Sequence, residues 1–354
     1  MSSPVLGSEL PIPEFYDPLN AERWEYSPDQ EFLSRRAAEW RSEHSLAPSS
    51  ADGKRVHLLL IDMQKDFCFP EGSLYVAGRS GRGATEDIDR TARFIYRNLA
   101  HITEITCTLD THFPLQIFSP AFWLDEDGNQ PPAHIEISLA DIRAGRYRPN
   151  PAVAHWYADG DEEWLVRHVE HYCAELERGG RYTLYLWPPH CMAGSEGHAL
   201  AGVIHEARLF HSYARLSPAE VAVKGEHPLT EFYSAIYAEV MESFDGRKVA
   251  EPNETFLEVL RTADAVIMAG EAKSHCVRAT AEDLLEHLDR ESIRKIYLLT
   301  DCMTSIAVPD PDEPGEFVFD FTPRADEAFQ RFAEAGMNLV ESTTPMSEWP
   351  GFPK

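Results

Sequence analysis

The hydrophobic pattern of this chain changes sharply at Val56. Residues 1–55 are polar and broken by Pro4, Pro11, Pro13, Pro18 and Pro28. Within them only 28–44 carries apolar residues at helical spacing, namely Phe32, Leu33, Ala37 and Trp40. That spacing predicts one amphipathic helix in an N-terminal arm that packs on the body or on a partner. From Val56 onward, short apolar runs alternate with helical periodicity. The run 56–61, ended by Asp62, reads as a strand buried on both faces of a parallel sheet. Further strands are expected at 105–109, 183–187, 220–223, 265–269 and 296–299, and helices at 84–101, 199–208, 255–262, 276–288 and 326–335.

Strand alternating with helix predicts an α/β fold, an open and mostly parallel sheet flanked by helices. One stretch breaks the alternation. Residues 114–180 are rich in proline (Pro114, Pro120, Pro131, Pro132, Pro149, Pro151) and then helical from 161 to 178, where Gly179 and Gly180 stop the helix. This stretch has no strand set of its own, so it is expected to be an insertion. The predicted organisation is an extension at 1–55, one domain at 56–345 holding the insertion 114–180, and a tail at 346–354.

Composition narrows the function. Lys plus Arg number 32 against 59 Asp plus Glu, a formal charge of −27. Such a field repels phosphate backbones and anionic lipid surfaces, which argues against nucleic-acid and membrane partners. No apolar run approaches the roughly 20 residues that span a bilayer. Without an export signal or a CxxC pair, the six cysteines are expected as reduced thiols in a cytoplasmic protein.

In an open α/β sheet, polar residues at the carboxyl ends of the strands converge on the site. Asp62 closes the first strand, Lys224 closes 220–223, and Cys276 lies where the loop after 265–269 meets a helix. A helix N-terminus and a nearby ammonium both favour thiolate. An acid, a cation and a thiol at three strand ends can share one proton economy and carry out nucleophilic attack on an amide or ester carbonyl. A second group joins Asp110 and His112, two apart on an extended strand end, with His190. Two imidazoles and a carboxylate suit Zn, or Fe or Mn, better than Ca.

In order along the chain, these motifs resemble the isochorismatase-like cysteine hydrolases, in their nicotinamidase branch. Asp62-Met-Gln-Lys-Asp-Phe-Cys68 is similar to the family's D-x-Q-x-D-F motif, and Asp110-Thr-His112 to its D-x-H. Trp187-Pro-Pro-His-Cys-Met-Ala-Gly194 resembles W-P-x-H-C-x-x-G, Lys224-Gly225 with Tyr233-Ser-Ala235 resembles K-G…Y-S-A, and Gly270 to Val277 resembles the nucleophile loop. The resemblance spans 56–113 and 181–345, and it implies a three-layer α/β/α domain.

It also implies Cys276 as nucleophile, Asp62 as general base and acid, and Lys224 as the group stabilising the thiolate. A metal on Asp110, His112 and His190, a cis peptide at Glu271–Ala272, and an oxyanion hole from the N–H groups of Ala272 and Cys276 follow as well. Phe67 and Trp187 match aromatics that sandwich a pyridine ring. Two departures stand out. Phe118 occupies a position where nicotinamidases often have a further His, with His134 as a candidate substitute, and Glu271 replaces a usually apolar residue.

The expected activity is therefore hydrolysis of a small carboxamide through a thioester, with nicotinamide first, a divalent metal and no organic cofactor, in a homo-oligomer. A related hydrolase acting on another amide, ureido or carbamoyl compound is the alternative. From a different class, a catalytically idle binding protein would be expected to show a broken triad.

Overall fold

A computed structural model of the chain describes residues 9–180, 182–310, 312–313 and 315–353. The apolar run Val56–Ile61 (β1) is buried along its whole length. It lies between Glu104–Asp110 (β2) and Ala265–Gly270 (β4), parallel to both. With Ala219–Lys224 (β3), Ile296–Leu299 (β5) and Asn338–Val340 (β6), they form a six-stranded sheet ordered β6-β5-β4-β1-β2-β3. Every pairing in it is parallel.

Side chains alternate across β1 as strand geometry requires. Leu58 and Leu60 enter a core with helices Gly83–Arg97 (α1) and Gly202–Arg215 (α2), while Leu59 and Ile61 enter another with Arg278–His287 (α3) and Thr322–Ala335 (α4). These two cores are the outer layers of an α/β/α sandwich. The arm helix, Gln30–Glu43, is seated in the first core through Leu33, Ala37 and Trp40, with the Trp40 ring 6.1 Å from Phe210. Among the described residues, no helix is long and apolar enough to cross a membrane.

The segment 114–180 packs on the second core. Its main element is the helix Glu162–Gly179, capped by Asp161 accepting from Trp164 N–H and ended by Gly180 in the left-handed region. Contrary to expectation, the segment does hold short strands: Trp123–Asp125 pairs with Tyr147–Pro149, and Glu136–Ile137 with Leu184–Tyr185. The predicted strand at 183–187 is thus no part of the main sheet. The sides of β1 and β2 are already taken, and Pro188 and Pro189 lack the donors that a further ladder would need. Also unforeseen were β6 and the hairpin Ala307–Pro309 with Phe317–Asp320.

Candidate active site

Four adjacent strands deliver the site. Asp62 follows β1, Asp110 ends β2, Lys224 ends β3, and the loop after β4 carries Ala272 and Cys276. Gln64 locks the first two ends together, its amide donating to the Asp110 carbonyl at 2.8 Å and accepting from Asp110 N–H at 2.8 Å. Gly225 follows Lys224 with φ +81°, and a Cβ there would lie 2.6 Å from Asp110 Oδ1, so only glycine leaves that carboxylate its place.

Lys224 is the hub. Its Nζ donates to Asp110 Oδ1 at 3.0 Å, to the Phe232 carbonyl at 3.0 Å and to Cys276 Sγ at 3.6 Å. Those bonds use all three N–H groups. Asp62 Oδ2 stands 2.8 Å from Nζ as an ion-pair contact but, among the described residues, receives no hydrogen bond, while Oδ1 accepts from Thr108 at 2.6 Å. Asp62 is near enough to Cys276 for its negative charge to raise the thiol. Asp62 therefore offers one carboxylate oxygen that is open to a proton.

All four groups are buried, and burial dominates their electrostatics. It pushes the Asp62 carboxyl up, with Asp110 adding to the rise and Lys224 opposing it. For Asp110, His112 and Lys224 outweigh burial and hold the carboxyl well below the usual range. Burial would discharge Lys224, yet Asp110 and Asp62 raise it instead, so it stays an ammonium. The helix-end thiolate expected at Cys276 is not realised. Burial drives its thiol well up, Lys224 lowers it, and Asp62 and Asp110 raise it again. Cys276 does lie at a helix start, in the helical turn Lys273–Val277 that runs directly into α3 at Arg278, but burial and the two carboxylates override that position. This thiol rests protonated beside an acceptor.

Asp110, His112 and His190 offer ligand atoms within 4.8 Å of one another. Each imidazole presents its Nε2, because Nδ1 faces a carbonyl, Gly225 at 3.3 Å for His112 and Pro188 at 2.8 Å for His190. Burial and His112 lower His190 to about 4, which keeps it neutral as a ligand must be. These donors fit a divalent cation of the zinc, iron or manganese type. Phe118 packs its ring 4.7 Å from that of His112 and supplies a wall in place of a ligand. His134 is no substitute: it turns to Tyr185, 3.3 Å from the hydroxyl, and stands outside the cluster.

A cleft of about 480 Å³, including its mouth, opens onto Cys276 and this cluster. Phe67 and Trp187 both line it together with Asp110, His112, His190 and Cys276, and Lys224 and Asp62 adjoin them. Of the residues singled out from the sequence for this site, His134 alone stays apart. The bond Glu271–Ala272 is cis. Sequence reasoning missed Glu231, Tyr233 and His275 on the same walls. Trp187 Nε1 donates to the Tyr233 hydroxyl at 2.9 Å, which donates to Glu231 at 2.8 Å. The other Glu231 oxygen accepts from Tyr172 at 2.9 Å, so the inserted helix reaches the cleft. Nothing in the sequence couples Tyr172 to Glu231. The D-x-Q-x-D-F motif did hold a signal for Gln64 and Asp66, whose carboxylate accepts from Cys191 N–H at 2.7 Å beside His190.

No family model matches the chain. A stretch of 132 residues is 27% identical to the nicotinamidase of Escherichia coli (strain K12), covering 37% of this chain and 52% of that protein. The chain thus spans about half the length of this curated relative. A solved Acinetobacter baumanii nicotinamidase/pyrazinamidase is 19% identical, covers 82% of this chain and 98% of its own, and has a TM-score of 0.47. A yeast nicotinamidase bound to the inhibitor nicotinaldehyde is 19% identical over 81% and 99%, with a TM-score of 0.49. A pyrazinamidase of Pyrococcus horikoshii in complex with zinc is 20% identical over 81% and 99%, with a TM-score of 0.41.

Proposed function

We propose that this chain, similar in sequence to the isochorismatase-like cysteine hydrolases of nicotinamidase type, is a cysteine amidohydrolase. Its substrate would be a small aromatic carboxamide, nicotinamide first. The observation that carries this reading is Lys224 Nζ within reach of Asp62, Asp110 and Cys276 at once in a buried cleft.

The chemistry follows from the resting protonation states. As Sγ attacks the carboxamide carbon, its proton passes to Asp62 Oδ2, and Lys224 stabilises the sulfur charge. The carbonyl π bond opens to an oxyanion, received by the N–H groups of Ala272 and Cys276. When the C–N bond breaks, Asp62 returns the proton to the nitrogen, and ammonia leaves a thioester. Asp62 then takes a proton from water attacking that thioester, and the C–S bond breaks to give the acid and the thiol.

Phe67 and Trp187 would hold the ring, with Trp187 fixed by Tyr233. Asp110, His112 and His190 would hold a divalent cation, zinc by the donor set, which supplies a Lewis-acid contact for a substrate heteroatom or water. A ureido or carbamoyl compound is the second reading, favoured by Glu231 on the cleft wall. That carboxyl would accept from the additional N–H of such a substrate, which a pyridine lacks.

The test is ammonia release from nicotinamide, from other aromatic amides and from ureido compounds, by the wild type and by Cys276→Ala. Turnover of nicotinamide that disappears in the variant is expected. Full activity in Cys276→Ala would refute the mechanism. Turnover of other amides with none of nicotinamide would replace the substrate and leave the mechanism standing.

A further inference from the structure

Glu271 immediately precedes Ala272, and its side chain points away from the cleft into full burial. There it meets a second buried acid, Asp87 of α1, with which it shares Thr304 as a donor. Thr304 ties the two together: its N–H donates to Glu271 Oε2 at 3.3 Å and its hydroxyl to Asp87 Oδ2 at 2.5 Å. Its carbonyl accepts from Lys273 N–H at 2.8 Å, on the other side of Ala272. The fit is close, since a Cβ on Gly83 would come within 2.4 Å of Thr304 Cγ2.

This arrangement is short of one proton. Glu271 Oε1 is buried and, among the described residues, receives no N–H or O–H bond. Two adjacent carboxylates cannot both stay ionised in a dry site, whereas one shared proton supplies the missing donor and halves the charge. The surroundings balance the single charge that remains. Arg90 donates to Asp87 Oδ1 at 2.6 Å and is itself anchored on the Asp301 carbonyl. The other titratable groups facing the pair are Cys68 and Tyr75 from the segment after β1, and Cys302 from the loop after β5. Burial holds Tyr75 and both thiols up, so none of them brings a charge.

We propose that Glu271 and Asp87 form a proton-sharing carboxyl pair that positions the Ala272 N–H opposite Cys276. This makes Glu271 a positioning residue of the oxyanion hole. The inference rests on the amidohydrolase reading for its functional half, while the shared proton is independent of that reading and rests on the Thr304 bridge and the unpaired Oε1. Burial and Asp87 together drive the Glu271 carboxyl well up. As pH rises the pair loses its proton, two buried carboxylates repel, and the loop carrying Ala272 shifts. Turnover therefore falls on the alkaline side.

The experiment combines infrared difference spectra with kcat and KM across pH for the wild type, Glu271→Gln, Asp87→Asn and Glu271→Ala. The wild type should show the C=O stretch of a buried carboxylic acid, lost in both amide variants, because either amide supplies the donor without a shared proton. Glu271→Gln and Asp87→Asn should keep kcat near neutrality and flatten the alkaline limb. Glu271→Ala should lower kcat by roughly 10- to 100-fold with KM nearly unchanged, the scale of a displaced oxyanion donor.

A wild type without the acid band, or one whose band persists in both amide variants, overturns the pair. An alkaline limb identical in all proteins, or a Glu271→Ala enzyme with full kcat, overturns the positioning role. The isosteric amide variants carry the test should Glu271→Ala not fold. A wild type inert on every amide would defeat the amidohydrolase reading, and the infrared band would still decide the shared proton.

Discussion

Lys224 Nζ stands 3.6 Å from Cys276 Sγ, with both side chains buried. That contact opposes the burial and the two carboxylates that hold the thiol protonated. Replacing Lys224 by Met should raise the thiol further and slow alkylation of Cys276 at neutral pH by at least about tenfold, one order per pKa step. Asp62→Asn should have the opposite effect, because it removes a neighbouring negative charge: faster alkylation together with loss of amide turnover. Mass spectrometry of the Cys276 peptide over time separates the two. Equal rates in both variants would contradict this account of the thiol.

The cluster Asp110, His112 and His190 should bind one zinc per chain. His112→Ala and His190→Ala should each weaken that binding by more than roughly 100-fold, beyond the loss of an outer-shell partner. Elemental analysis after dialysis, with calorimetry on refilled protein, reads the stoichiometry. Zinc retained at full stoichiometry by both variants would place the metal elsewhere.

Glu231 is pushed up to about 7 by burial, against the donors Tyr233 and Tyr172. Its folded value lies above that of an unfolded Glu, so its contribution to stability is complete below about pH 4.3 and is lost as pH rises through 7. The difference is on the order of 3 kcal/mol. Glu231→Gln should therefore remove part of the alkaline loss in melting temperature without altering the acid side. Thermal melts at pH 5 and pH 8 check it, and parallel shifts at both values would show that Glu231 does not titrate in this range.

Trp40 is 5% exposed where the arm helix meets Phe210. Trp40→Ala should cost about 3–5 kcal/mol, as for other large buried aromatics. Trp40→Phe should cost much less, since it keeps a ring and deletes an Nε1–H that has no partner among the described residues. Urea melts followed by circular dichroism give both values. A neutral Trp40→Ala would mean that the arm adds nothing to the stability of the body.

What could be read from the sequence was whatever strand order alone places. Asp62 and Cys276 follow buried apolar runs and Lys224 ends a short edge strand, and parallel packing of these strands is sufficient to bring the three together. Asp110 and His112 were legible for the same reason. The state of the thiol was not. The helix-end argument used a local dipole, whereas the outcome is set by burial and by carboxylates on two other strands. Glu231, Tyr172 and Asp87 were silent, and Glu271 stood out only as a charge at a usually apolar position, because their meaning lies in contacts across distant chain segments. The strand misassigned at 183–187 had the right composition but no free place in the sheet.

The sheet ends on β3, whose one neighbour is β2 and whose Val221 and Val223 face solvent. Lys224 is thus mounted on one of the two edge strands, which are less protected against fraying than the strands between them. Heat need not unfold the domain to change this site: once the end of that ladder opens, a thiol in apolar surroundings is left without the neighbouring cation that lowers it. Inactivation should then run ahead of global melting, with the amides of β3 exchanging before those of β1. The working temperature of the protein would be set at the rim of its sheet, while the core beneath remains intact.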